Sequence, residues 1–276
     1  MNVKRSKTRR NVILFSLVVL SCGWIGRLVD MQVGTDANGS LGQLIWIVSP
    51  LLCMVILRSG MGDGWHDFGM KPRFKGNSVP YWISLLFFPL MAVLIVGIGL
   101  GLGWTDLLQS PAAFAAAFGM AVVPSFVKNI FEEFAWRGYL APKLFMLGYP
   151  RLLVHITVGL IWGAWHFPYL FVFVDTAESM ITYIPRLMIG MIAMAVLYGE
   201  VRFISGSVWP AVIMHTMGNA FIDTLILQKF IAVHEEASYA AMPSPEGILA
   251  IAVTGLAGLW MWKKAGPGKT SSSLQL

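Results

Sequence analysis

The sequence predicts an all-α polytopic membrane protein of about eight transmembrane helices enclosing a polar cavity. Three observations carry that prediction. The 276 residues are 57% hydrophobic and only 12% charged, with mean hydropathy +0.69, whereas a soluble domain carries roughly 25% charged residues. The apolar residues fall in runs near the ~20 residues that a bilayer requires. The charges between those runs alternate in sign along the chain, as the positive-inside rule describes. A net charge of +6 is therefore read as cytoplasmic loop charge, and nucleic acid is excluded as a partner. The two cysteines, Cys22 and Cys53, sit inside apolar runs and give neither a metal spacing nor a disulfide framework.

Taken in order, residues 1–10 form a basic cytoplasmic tail with Lys4, Arg5, Lys7, Arg9 and Arg10. The run Val12 to Gly26 follows with no small-x-small cleavage site, so it is read as an uncleaved first span. The further spans are about Leu41 to Leu57, Tyr81 to Gly103, Ala112 to Phe131, Leu152 to Val174, Met180 to Tyr198, Ser207 to Gln228, and Gly247 to Trp262. Basic loops hold Arg58, Lys71, Arg73 and Lys75, then Arg137, Lys143 and Arg151, then Arg202, then Lys263, Lys264 and Lys269. Loops of the opposite side hold Asp30, Asp36, Asp106, Asp175, Glu178, Glu235, Glu236 and Glu246. That alternation places both termini in the cytoplasm and Asp175 to Ser179 outside, in a plasma membrane. Between Arg58 and Pro80, Trp65, Phe68 and Phe74 are mixed with Lys71, Arg73 and Lys75, which reads as an interfacial segment or a plain polar loop. Gly97, Gly99, Gly101 and Gly103 in the third span are read as helix-packing positions. Residues 11–265 form one transmembrane domain, and 266–276 a disordered Gly/Ser/Thr-rich tail.

The chemistry concentrates in three spans. Glu132 and Glu133 are embedded in aromatics, and carboxylates at membrane depth face the bundle interior with a partner. Arg137 stands one turn after Glu133 and can neutralise it. Glu132, about 100° around the helix, has no counter-charge at i+3 or i+4 (Ala135, Trp136) and is left free to work. In the fifth span Trp162 stands one turn before His166. In the seventh, His215 and Asn219 are one turn apart, with Asp223 continuing the stripe as a water-facing carboxylate at a helix end. His155 reads as a hydrogen-bonded packing residue or a headgroup contact. Together the carboxylate, the imidazoles and the amide make a water-activating set, with Glu132 as general base and His and Asn donors for an oxyanion.

These motifs, Glu132-Glu133-x-x-x-Arg137, then Trp162-x-x-x-His166, then His215-x-x-x-Asn219, resemble the CPBP family, also called Abi. That family includes type II CAAX prenyl endopeptidases and bacteriocin-processing or immunity proteins. The resemblance covers about 112–223 and departs at Trp162, where the family often has Phe. It implies an eight-helix intramembrane endopeptidase with its cavity open to the cytoplasm. By similarity, Glu132 and His166 activate water, His215 and Asn219 hold the oxyanion, and Glu133 and Arg137 support the site. The implied substrate is a prenylated peptide, a bacteriocin leader or another membrane-associated protein; nothing in the sequence sets an oligomeric state. Glu132, His166 and His215 would suit a three-ligand zinc site. No tightly bound metal is the favoured expectation, because Asn219 is a poor zinc ligand and a good oxyanion donor. The rival readings are a proton-coupled transporter, since intramembrane acids and histidines also build relays, and a non-catalytic immunity or scaffold protein of the same fold.

One geometric condition follows. Were the fourth span to end at Glu132, His166, about 14 residues or ~21 Å into the fifth, would lie beyond its reach. The fourth helix is therefore expected to continue to about Leu147, kinked by Pro142.

Overall fold

The computed structural model describes residues 2–34, 39–174, 176 and 178–266. The expectations for Asp36, Asp175 and the tail beyond Gly266 lie outside the described residues. The helices are α1 (Asn2–Val33), α2 (Leu41–Ser59), α3 (Ser78–Leu102), α4 (Pro111–Ala135), α5 (Ala141–Met146), α6 (Arg151–Phe173), α7 (Met180–Ser205), α8 (Trp209–Gly218), α9 (Thr224–Leu227), α10 (Ser238–Ala241) and α11 (Ile248–Ala265). Serines start several of them. Ser40 accepts from the Gln43 amide, and Ser110, followed by Pro111, accepts from Ala113, satisfying amides that a first helical turn leaves open. Gly103 and Gly206 end α3 and α7 in the left-handed conformation, where a Cβ would be strained.

Seven helices among the described residues are long and apolar enough to cross a membrane. α6, the expected fifth span, is not one of them although it has 23 residues. It carries His155, His166 and Pro168 inside its length, and it packs along α7 and against α1. Its polar groups face protein, as polar groups within a membrane do. The basic N-terminal stretch is helical, since α1 runs unbroken from Asn2. Two short strands that hydropathy did not reveal, β1 (Thr105–Leu107) and β2 (Ile231–Val233), pair antiparallel with Thr105 opposite Val233. They join the loops at one end of the bundle, and His234 bonds Asp106 there at 2.8 Å.

The helix-packing glycines are not those expected. Gly97, Gly101 and Gly103 have open space where a Cβ would stand, and of the four only Gly99 meets a neighbour, Thr105. Close approach occurs instead between α1 and α2, where a Cβ on Gly26 would lie 2.3 Å from the Gly42 carbonyl oxygen. Composition could not distinguish a glycine facing lipid from one facing a helix.

α4 and α5 form one continuous 36-residue helix, Pro111 to Met146, through a π-helical turn at Trp136–Leu140. The expected extent holds, but the irregularity is a π turn just before Pro142. Proline has no N–H to return to the Gly138 carbonyl, and the Arg58 guanidinium donates to that carbonyl instead. Glu132 then lies about 14 residues, ~21 Å, before the end of α5. His166 lies the same distance into α6 beyond the turn at 147–150, so the two residues stand at one depth.

The segment after α2 is neither a plain loop nor wholly interfacial. Trp65, Lys71, Phe74 and Lys75 are exposed, but Asp63, Asp67 and Phe68 are buried beneath the π turn. Asp67 pairs with Arg58 at 2.7 Å and with Lys143 at 3.0 Å. Burial alone would raise the Asp67 carboxyl, yet these two cations hold it below the usual carboxylate range. Asp63 accepts from the Tyr139 hydroxyl at 2.7 Å and from Asn11 at 3.1 Å. Phe68 lies so close to Gly138 that a Cβ there would meet its ring at 2.5 Å. This clamp fixes the helix just beyond the two glutamates.

Candidate active site

The site is built around Trp162. α4 brings Glu132 and Glu133, and its π turn brings Arg137. α6 brings Trp162 and His166, while α8 brings His215, with Asn219 opening a second π turn, Asn219–Asp223. Glu132, Glu133, Arg137, Trp162 and His215 are buried, and His166 and Asn219 are half-buried. Two π turns at one polar cluster fit the tendency of such bulges to occur at functional sites.

The Trp162 indole N–H donates to Glu132 Oε2 at 3.0 Å. Its carbonyl accepts from His166 Nδ1 at 2.8 Å. The Arg137 guanidinium lies over its ring at 4.5 Å and over the Tyr198 ring at 4.8 Å, a cation–π sandwich away from water. The His215 ring stands edge-on to it at 5.2 Å. His166 is further boxed by Trp46 and Trp165, with ring centroids at 5.9 Å and 4.8 Å.

Glu133 has two partners on one oxygen, Arg137 Nη1 at 2.9 Å and His215 Nδ1 at 2.9 Å. A carboxylate and a carbonyl only accept, so Nδ1 carries the hydrogen in both His215 and His166. Each neutral ring then leaves its Nε2 unprotonated. That differs from the expectation of His215 as an oxyanion donor: the neutral ring accepts at Nε2, and of that pair Asn219 alone brings N–H groups. Glu132 also differs from expectation, because a cation does stand on its own helix. Lys128, one turn earlier, lies 3.8 Å from Oε1 and is 38% exposed. Only the i+3 and i+4 positions were weighed in the sequence, and the partner is at i−4. Otherwise Oε1 is buried and accepts no hydrogen bond.

Asn219 donates through Nδ2 to Asn129 Oδ1 at 3.3 Å. It also lines a cavity of about 40 Å³ with Asp223, Gly218 and Phe88. A larger cavity of about 500 Å³ shares Asp223 and Ser244 with it and includes Glu178 and Glu246. Asp223 is exposed, in line with a water-facing carboxylate. Glu132, His166 and His215 do not line the smaller cavity. It adjoins the loop at 243–245, on the side of the acidic loops, whereas the resemblance implies an opening to the cytoplasm.

The chemistry of the donors suits a metal in one respect. Histidines that ligate metals typically donate their other N–H to a carboxylate or carbonyl, as both do here. Their placing does not suit one: among the described residues no three His, Cys, Asp or Glu side chains converge closely enough to hold an ion.

His155 is a packing residue, bonded through Nε2 to Glu200 at 3.0 Å, and Arg151 lies 3.1 Å from the same oxygen. Asn129, Tyr198 and Glu200 were missed in the sequence. A buried polar group requires a partner. That rule would have flagged Asn129, one turn before Glu132 and Glu133 on the same helical face.

Residues 113–221 match the family model of Rce1-like proteins, the type II CAAX prenyl endopeptidases. The matched stretch contains all three motifs and agrees with the resemblance read from them. A comparison with curated proteins found no match.

Proposed function

We propose, on the premise that residues 113–221 form an Rce1-like domain, that this chain hydrolyses a peptide bond of a membrane-associated or prenylated protein within the membrane. The observation that carries the reading is Glu132: buried, held through Oε2 by Trp162, and with Oε1 free of any hydrogen-bond donor. Oε1 takes a proton from water as the water oxygen attacks the scissile carbonyl carbon. The Nε2 atom of His166 accepts the other hydrogen of that water and orients it. The Asn219 amide donates to the developing oxyanion. Collapse of the tetrahedral intermediate breaks the C–N bond, and the proton on Glu132 passes to the leaving amine. Glu133 and Arg137 hold the His215 ring in place.

The decisive experiment incubates purified protein with a membrane-peptide library and compares wild type with Glu132→Ala by mass spectrometry. Cleaved peptides that appear with the wild type alone support the reading; identical digests from both proteins overturn it. No step above passes through a metal, so cleavage is expected to survive chelators and metal-free buffers. Activity abolished by chelation and restored by one equivalent of zinc would reverse that.

The proposed setting is the plasma membrane with both termini cytoplasmic. α6, about 34 Å long at 1.5 Å per residue, crosses it as well, which gives eight spans and puts the turn before α7 outside. A cysteine at Thr176 should then react with a membrane-impermeant thiol reagent on intact cells. Labelling only after lysis would invert or break this topology.

A further inference from the structure

Asn129 is wholly buried on α4, 0% exposed, three residues before Glu132. Its Oδ1 accepts from Asn219, and its own Nδ2 is buried with no hydrogen-bond partner among the described residues. Exchanging O and N in both amides keeps the contact but moves the free N–H₂ group from Asn129 to Asn219. One contact joins the two side chains, and an N–H₂ group of the pair is left without a partner among the described residues. Buried amide donors are rarely left unpaired, and this pair lies within one helical turn of Glu132. Asn219 is only half-buried and begins a π turn, so its helix alone does not fix the amide plane. The bond to α4 does, and it ties the donor to the helix that carries Glu132.

We infer that Asn129 is a positioning residue for peptide hydrolysis. It locks the Asn219 amide in register with Glu132 and keeps the free N–H groups of the pair for the peptide carbonyl oxygen. The inference rests on the endopeptidase reading, and a double-mutant cycle separates the two. The substrate is whichever library peptide the wild type cleaves. Asn219→Ala is expected to lower kcat about 10²-fold, the usual loss of one oxyanion donor. Asn129→Leu should lower kcat at least tenfold with KM changed by less than about twofold. The double variant should match Asn219→Ala within about twofold, because Asn129 has nothing left to position. Losses that multiply in the double variant overturn the inference, as does a fully active Asn129→Leu. If Asn129→Leu accumulates poorly, Asn129→Ala, which cannot overpack the site, carries the same expectation. Its melting temperature is measured in parallel, and a kcat loss that simply follows unfolding overturns the inference. A fully active Asn219→Ala removes Asn219 from the proposed chemistry, and a wild type that cleaves no peptide overturns both readings.

Discussion

Glu132→Gln should lower peptide cleavage by at least ~10²-fold while the protein keeps its fold. A general base contributes typically 10²–10⁴-fold, and an amide cannot take the proton from water. Glutamine preserves the shape, and its carbonyl oxygen can still accept from the Trp162 indole, now 3.0 Å from Glu132. The charge it removes has Lys128 as its ion-pair partner, at 3.8 Å and partly exposed. Exposed pairs contribute only about 0–1 kcal/mol, so the melting temperature should barely move. Cleavage rate and thermal midpoint on the same preparation test this. An active Glu132→Gln would remove the residue from catalysis.

Glu133→Gln should fail differently, through the scaffold. Glu133 Oε1 receives both Arg137 and His215 at 2.9 Å, and the carboxylate side chain is 0% exposed. Removing its charge leaves the Arg137 guanidinium buried between Trp162 and Tyr198 without a counter-ion. Breaking a buried pair from one side typically costs ~3–5 kcal/mol. The expected signature is a lower melting temperature or expression, together with reduced cleavage because a neutral amide oxygen holds the N–H groups of Arg137 and His215 more weakly than a carboxylate does. The double change Glu133→Gln, Arg137→Gln should recover part of the stability, since no unpaired charge remains. Recovery is incomplete because the cation–π contacts with both rings go as well. A stable but inactive Glu133→Gln beside an active Glu132→Gln would mean that the two carboxylates have exchanged roles.

Both predictions depend on a division between adjacent glutamates that sequence spacing already made. Consecutive residues on a helix point about 100° apart, and Arg137 stands one turn from Glu133 alone. The same spacing put Trp162 with His166 and His215 with Asn219. It did not say that the second partner of Glu133 is a histidine 82 positions away. Nor did it say that the lysine one turn before Glu132 leans toward that carboxylate. The Arg58, Asp67 and Lys143 clamp was equally hidden, because its members fall in loops and helix ends that charge counting assigns to the cytoplasmic surface.

By itself the sequence determined the all-helical membrane fold and the order of the spans, and it singled out the polar residues that the structure gathers around Trp162. Hydrophobic run length and helical periodicity are local properties, and the bilayer converts them directly into helices. The tertiary structure alone decided which nitrogen of each histidine is free, where the two helices relax into π turns, and which glycines meet a neighbour. Each of these depends on a partner distant in the chain: a carboxylate behind an imidazole, an arginine on the Gly138 carbonyl, a second backbone against Gly26. No pattern within one helix records what packing will bring against it.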